Sequence, residues 1–96
     1  MGARIVEICE RLYTIRNRLG LHLRAANKLV RVASRFESDI WLSKDGFEVD
    51  GKSIMGITML AAACGSRVTV RARGEDARDA VDALGSLINS KFEEDG

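Results

Sequence analysis

The hydrophobic pattern of this 96-residue chain changes several times between the two-residue period of a strand and the longer period of a helix. Four stretches alternate apolar with polar residues and predict strands, at 10–16, 38–43, 47–49 and 67–73. Three stretches have helical spacing and predict helices, at about 22–34, at 54–60 and after Glu75 and Asp76. This order predicts an α+β open-faced sandwich, in which helices pack on one face of a four-stranded antiparallel sheet.

The apolar residues of these elements define a candidate core. Tyr13 and Ile15 share one face of the first strand. Before it, Ile5, Val6 and Ile8 fit either an extension of the strand, which the pattern favours, or a short tail. The first helix has an apolar face made of Ala26, Leu29, Val30, Ala33 and Phe36, with Asn27, Lys28 and Arg31 facing solvent or a partner. The last helix has an apolar face made of Ala77, Ala80, Val81, Leu84, Leu87 and Ile88.

One small domain is the expected organisation, because 96 residues, 46% of them hydrophobic, can support one modest core. We expect residues 10–92 to form the core, residues 1–9 to be an N-terminal extension and residues 93–96 to be a disordered acidic end. Cys9 and Cys64 lack metal-ligand spacing, so we expect reduced thiols in or near the core, with a disulfide left open.

Charge and hydropathy argue against two classes of function. The formal net charge of +1 does not suit a protein that binds nucleic acid by neutralising phosphates, and the strand aromatics of a sheet-surface RNA reader are missing. No apolar run approaches the roughly 20 residues of a membrane span, and the first residues lack the apolar centre of a secretory signal. We therefore expect a cytoplasmic protein without nucleic-acid binding or membrane insertion.

The one histidine, His22, lies where a loop containing Gly20 runs into the first predicted helix. Backbone N–H groups at a helix start have no intrahelical partner and favour an anion, and Arg24 adds a guanidinium to the same turn. Because an imidazole nitrogen is a nucleophile near neutral pH, the pattern predicts a histidine that is itself phosphorylated. The alternative is a partly exposed histidine with no special chemistry.

Two motifs resemble those of a known family. Residues 17–26, Asn-Arg-Leu-Gly-Leu-His-Leu-Arg-Ala-Ala, resemble the active-site signature of the histidine-containing phosphocarrier (HPr) family, and residues 51–57, Gly-Lys-Ser-Ile-Met-Gly-Ile, are similar to its regulatory-serine motif. The chain departs from the family pattern at Leu23, where a small residue is usual, and at Ala25, where proline is usual. Alanine favours a helix and supplies an N–H that proline lacks, so we expect the anion site to survive.

The resemblance implies a phosphocarrier of the phosphoenolpyruvate-dependent sugar phosphotransferase system. His22 would accept a phosphoryl group on its pros nitrogen from enzyme I and pass it to an enzyme II A domain. Arg24 and the backbone N–H groups of Leu23, Arg24 and Ala25 would hold the phosphate. Such a monomeric, stoichiometric carrier, with transferase-type chemistry but no stand-alone catalysis, needs no metal or cofactor.

The resemblance also implies regulation and docking on the short helix. Ser53 would be phosphorylated by an HPr kinase/phosphorylase, although a helix N-cap alone would explain a serine here. The residues expected to dock partners are Asn27, Ile54, Met55 and Thr58. Residues 17–20 and 89–95 look more like the nitrogen-related branch of the family, so a regulatory carrier that signals through its phosphorylation state is the alternative function.

Overall fold

A computed structural model describes residues 6–94, and these form four strands, three α-helices and one short 3-10 helix. In chain order the elements are β1 (Glu7–Thr14), α1 (Leu23–Ala33), β2 (Asp39–Lys44), β3 (Phe47–Asp50), α2 (Ile54–Met59), β4 (Arg67–Gly74), α3 (Ala77–Asn89) and the 3-10 helix (Lys91–Glu93). The strand order in the sheet is β1-β4-β2-β3, and the three pairings are antiparallel. The predicted α+β open-faced sandwich is confirmed.

The inner face of the sheet is formed by the apolar positions of the alternating strands. On β4, Val68, Val70 and Ala72 are fully buried, while the residues between them are at least partly exposed. In the register of β2 against β4, Leu42 lies opposite Val70 and Ile40 lies opposite Ala72, so these side chains share one face. The helices cover this face, because α3 packs against β1 and β4 while α1 packs against α2 and α3.

Helix α3 packs closely on the sheet. Its buried residues are Ala77, Ala80, Val81, Leu84, Gly85 and Ile88, and the predicted Leu87 is half-buried against the core. The close approach centres on Gly85, where an added Cβ would lie 2.2 Å from the Tyr13 hydroxyl oxygen. That hydroxyl donates a hydrogen bond to the Val81 carbonyl at 3.3 Å. A side chain at position 85 would therefore displace the Tyr13 ring from its place against α3.

Several boundaries differ from the prediction. β1 begins at Glu7, so the extension favoured by the sequence is present at 7–9, while residues 1–5 lie outside the described part of the chain. The strand ends at Thr14 and not at residue 16 as predicted, although Ile15 still donates from its N–H to the Ser66 carbonyl and accepts from the Gly65 N–H, both at 2.8 Å. α1 ends at Ala33, so Phe36 is not part of the helix, although it packs half-buried against the core.

The two cysteines are both free thiols, but their positions differ. Cys9 is half-buried and packs against the core. The prediction that Cys64 lies in or near the core is wrong, because Cys64 is exposed in the turn between α2 and β4. Its thiol instead contacts the Arg16 carbonyl at 3.7 Å.

The C-terminal segment is ordered as far as Glu94, so the prediction of a disordered end is wrong for Glu93 and Glu94. Phe92 is fully buried in the core and anchors the 3-10 helix, and the Lys28 ammonium donates to the Phe92 carbonyl at 2.7 Å. Residues 91–93 all have positive φ, between 55° and 61°, and so form a left-handed turn. Residues 95–96 lie outside the described part of the chain.

Candidate functional site

His22 is the N-cap residue of α1. Its backbone is extended, at φ −74° and ψ 174°, and its carbonyl accepts the first helical hydrogen bond from Ala26 at 2.8 Å. Its ring Nδ1 accepts a hydrogen bond from the Arg24 backbone N–H at 3.3 Å. The imidazole therefore occupies the helix N-terminus with Nδ1 directed toward the N–H groups that have no earlier carbonyl within the helix.

A tight backbone turn places His22 at this position. Gly20 has φ +68°, and an added Cβ there would lie 2.5 Å from the Ala62 carbonyl oxygen. The neighbouring Leu21 N–H donates to the same carbonyl at 2.9 Å, which joins the loop before α1 to the segment after α2. Because both the conformation and the space exclude a side chain, glycine is required at position 20.

The other ring nitrogen of His22 contacts the C-terminal segment. Nε2 forms a short contact with a carboxylate oxygen of Glu94, and the two side chains are 23% and 11% exposed. The buried Asn17 amide donates to the other Glu94 oxygen at 3.0 Å and to the Gly20 carbonyl at 2.7 Å. Asn17, Glu94 and His22 thus form one hydrogen-bonded chain.

The surroundings of Glu94 favour its ionised form. Partial burial raises the pKa of this carboxyl, but hydrogen bonds from His22 and Asn17 lower it, and so do the positive charge of Arg24 and that of His22 whenever its ring is protonated. The net effect is a pKa below the usual value for glutamate. An ionised carboxylate can only accept hydrogen bonds, so the contact with Nε2 requires a proton on that nitrogen.

The residues that the sequence predicts to hold the phosphate lie together in the first turn of α1. Arg24 is exposed, Leu23 is 61% exposed, and Ala25 is fully buried. Leu23 therefore does not cover the ring as part of the core but projects into solvent beside it. Among the described residues, no group of three or more His, Cys, Asp or Glu side chains is placed to hold a metal ion.

The second motif lies at the start of α2. Ser53 is the N-cap residue, as predicted, and its hydroxyl accepts a hydrogen bond from the Gly56 N–H at 3.0 Å. The preceding residue, Lys52, donates from its ammonium to the Phe36 carbonyl at 2.7 Å. Because α2 packs against α1, Ser53 belongs to the same helical layer as His22.

The predicted docking residues are mostly exposed. Ile54 is 39% exposed, Met55 is 73% exposed and Thr58 is also exposed, whereas Asn27 is only half-buried on α1. Leu19, Leu23 and Met59 are 62%, 61% and 62% exposed. Five large apolar residues are thus exposed on the loop before α1, on α1 and on the α2 helix that packs against it, and we call them the apolar rim: Leu19, Leu23, Ile54, Met55 and Met59.

Comparison with known proteins decides the family. A family model described as the PTS HPr component phosphorylation site matches residues 9–90. The chain belongs to the HPr family. It is 51% identical over 81 residues to the phosphocarrier protein HPr of Cupriavidus necator, covering 84% of this chain and 91% of that protein. This HPr-family chain therefore has the general role of a phosphocarrier in the phosphotransferase system and works with the proteins of that system.

The chain is also similar to an NPr and to an HPr of solved structure. The chain is 40% identical over 85 residues to the phosphocarrier protein NPr of Shewanella violacea, covering 88% of this chain and 93% of that protein. The crystal structure of HPr from Thermoanaerobacter tengcongensis superposes with a TM-score of 0.88 at 44% identity, covering 92% of this chain and 99% of that one. Both the HPr and the NPr branches are thus close relatives.

Two residues at the HPr-type site were not predicted. Asn17 lies inside the recognised signature, but its contact with Glu94 joins residues 77 positions apart. Glu94 lies in an acidic end with no periodicity, so the sequence gives no sign that it reaches His22. The one available signal was Phe92, a large apolar residue beyond the last helix that needs a place in the core.

Proposed function

We propose that His22 accepts a phosphoryl group on Nδ1, the pros nitrogen, from phospho-enzyme I and passes it to an enzyme II A domain. The observation that carries the proposal is the hydrogen bond from the Arg24 N–H to Nδ1, because a nitrogen that accepts a hydrogen bond presents its lone pair. That lone pair faces the positive end of the α1 dipole. An imidazole nitrogen in this position is suited to receive a dianionic group.

The transfer step needs positioning and charge stabilisation. The Nδ1 lone pair forms a new bond to phosphorus while the bond from phosphorus to the donor breaks, and that electron pair returns to the donor. The N–H groups of Leu23, Arg24 and Ala25 and the exposed Arg24 guanidinium then surround the phosphoryl oxygens. No side chain transfers a proton to the phosphoryl group in this step. Because the phosphoryl group then stays on His22 until it is passed on, the protein acts as a stoichiometric carrier and not as an enzyme of its own.

Replacing Arg24 with alanine is expected to slow transfer from phospho-enzyme I by about 10–100-fold, since a charge-assisted hydrogen bond is worth about 1.5–3 kcal/mol. His22 and the backbone N–H groups remain, so transfer is weakened and not abolished. Rapid-quench measurement of phosphohistidine formation checks this rate. Arg31→Ala, which removes a second exposed arginine in the last turn of the same helix, is the matched control. Wild-type rates for Arg24→Ala in both directions would exclude the guanidinium from the site.

The apolar rim is the proposed docking surface for both partners. Leu23 follows His22 in the chain, Ile54 and Met55 are exposed on α2, which packs against α1, and Asn27 and Thr58 add polar groups on the same two helices. Exposed methionine and branched side chains adapt to more than one partner surface. A carrier that must bind a donor and then an acceptor requires this property. The proposed carrier is a cytoplasmic monomer whose rim is free between encounters.

We further propose that Ser53 is a regulatory phosphorylation site, used by an HPr kinase/phosphorylase. A phosphoryl group would place a charge of about −1.5 to −2 at the α2 N-terminus, which accommodates negative charge. The same charge would lie next to Ile54 and Met55 in the apolar rim. The fold is therefore expected to persist while the encounter with a carboxylate-bearing partner weakens.

Ser53→Asp is expected to slow transfer from phospho-enzyme I more than tenfold at low salt. Each adverse charge pair about 10 Å apart costs about 0.8 kcal/mol at an effective dielectric of about 40, so two or three pairs suffice. Ser53→Asn is the matched control, because asparagine caps a helix as well as aspartate but adds no charge. Steady-state transfer at low and moderate salt tests the effect. Equal rates for the aspartate and asparagine variants would leave Ser53 as a helix cap only.

A regulatory carrier of the nitrogen-related type is the second candidate, favoured by the similarity to the NPr of Shewanella violacea. In this case the phosphorylation state of His22 would act as a signal, and the phosphoryl group would not be supplied to sugar transport. Phosphorylated protein incubated separately with a sugar-type and a nitrogen-type enzyme II A domain distinguishes the two roles. The domain that removes phosphate from His22 faster identifies the acceptor class.

A further inference from the structure

We propose that Glu94 is a positioning residue for the phosphoryl acceptor, holding the proton of His22 on Nε2 so that Nδ1 presents its lone pair. This inference rests on the proposed function, because it concerns the nitrogen that receives the phosphoryl group. The two ring nitrogens have opposite partners. Nε2 contacts the Glu94 carboxylate, whereas Nδ1 accepts from the Arg24 N–H. A carboxylate accepts and an N–H donates, so both contacts favour the same neutral tautomer.

The carboxylate is itself fixed in direction. The Asn17 amide donates to Glu94 Oε1 at 3.0 Å, which leaves Oε2 for His22. Asn17 is fully buried, and its amide is also bonded to the Gly20 carbonyl in the loop that delivers His22. Asn17 therefore couples the position of Glu94 to the position of the ring.

The backbone near Glu94 is anchored on two sides. Phe92 is fully buried, and Lys28 on α1 donates to its carbonyl at 2.7 Å. The Glu93 and Glu94 N–H groups donate to the Ser90 and Lys91 carbonyls, both at 3.0 Å. Glu94 thus directly follows the anchored left-handed turn and lies two residues after the buried Phe92. Its side chain is 11% exposed and contacts the His22 ring.

The charges around the ring agree with this role. Arg24 on α1 is a cation that lowers the pKa of the Glu94 carboxyl, and Lys28 lies one turn further along the same helix. When Nδ1 bonds to phosphorus, positive charge develops on the imidazole while the Nε2 proton stays on the ring. A carboxylate at Nε2 stabilises that charge on the side of the ring opposite to the phosphoryl group.

Glu94→Gln tests the inference in the full-length protein. Because Asn17 donates to one side-chain oxygen, the glutamine oxygen is drawn to Asn17 and its NH₂ group then faces Nε2. The unphosphorylated ring is expected to change from predominantly protonated on Nε2 to a mixture of tautomers, observed in two-bond ¹H–¹⁵N spectra at a pH where the ring is neutral. Transfer from phospho-enzyme I is expected to fall on the order of tenfold. Glu93→Gln, which removes the same charge at the exposed neighbouring position, should match wild type in both measurements.

The two readouts separate this inference from the proposed function. If wild type gains no phosphate on His22, the carrier proposal fails, and the tautomer spectra still decide whether Glu94 holds the Nε2 proton. If wild type is phosphorylated and Glu94→Gln keeps either the wild-type tautomer or the wild-type rate, only the role of Glu94 is overturned. A faster rate in Glu94→Gln would also overturn it, since the carboxylate would then obstruct the transfer.

Discussion

Replacing His22 with alanine is expected to abolish phosphoryl acceptance from phospho-enzyme I, because the substitution removes the proposed nucleophile. The folded state should persist. His22 is partly exposed at the start of α1, and the loss of an N-cap costs about 1 kcal/mol. Incubation with enzyme I and phosphoenolpyruvate, followed by intact-mass measurement before and after acid treatment, checks the prediction. Wild type should gain one acid-labile phosphate and the variant none.

His22→Asn separates the nucleophile from the helix cap. Asparagine is among the best N-cap residues, so this variant should keep α1 as stable as in wild type while presenting no imidazole nitrogen. The expected result is a far-UV circular dichroism spectrum and a melting temperature close to wild type, with complete loss of phosphate gain. An acid-labile phosphate on either variant would show that the carrier residue is not His22.

The elements with strong periodicity were predicted closely. α3 carries an apolar face over several turns, and β4 alternates valine with polar residues, so burial and pattern lead to the same assignment. The end of α1 was predicted to within one residue, at about 34 against the observed Ala33, but the position of Phe36 was not. Phe36 continues the helical spacing but packs half-buried from beyond the helix, because hydrophobic spacing alone does not show where a chain turns.

The candidate site was predicted only on one side of the imidazole. The signature around His22 identifies the helix N-terminus and Arg24, since all of these contacts are local in sequence. The Nε2 side depends on Glu94, which is 72 residues away from His22. Such a contact depends on how the last helix leaves the sheet and on where Phe92 inserts, and neither is encoded in a local pattern.

The buried Phe92 connects stability to the site. It belongs to the same hydrophobic core as Leu29 of α1 and Ile88 of α3, and it lies two positions before Glu94. Apolar burial of Phe92 therefore helps to hold Glu94 against His22, together with the hydrogen bonds that Glu94 makes with Asn17 and His22. Through this arrangement the core residue Phe92 helps to orient the Glu94 carboxylate at the site.

Replacing Phe92 with alanine is accordingly expected to lower the free energy of unfolding by about 3–5 kcal/mol, the usual cost of truncating a fully buried phenylalanine. For a domain of this size, the melting temperature should fall by about 15 °C or more. Differential scanning calorimetry and urea denaturation measure both quantities. Lys91→Ala, an exposed position in the same left-handed turn, is the matched control and should stay within about 1 kcal/mol of wild type.

Phe92→Leu distinguishes anchoring from general loss of stability. Leucine keeps an apolar side chain in the same place, so the turn should stay docked and the free energy should fall by less than in Phe92→Ala. In the alanine variant, measured well below its melting temperature, Glu94 should detach and the His22 ring should show the tautomer mixture expected for Glu94→Gln. If Phe92→Ala unfolds at a lower temperature but keeps the wild-type tautomer, then Asn17 alone is sufficient to hold the carboxylate, and the anchor acts only on stability.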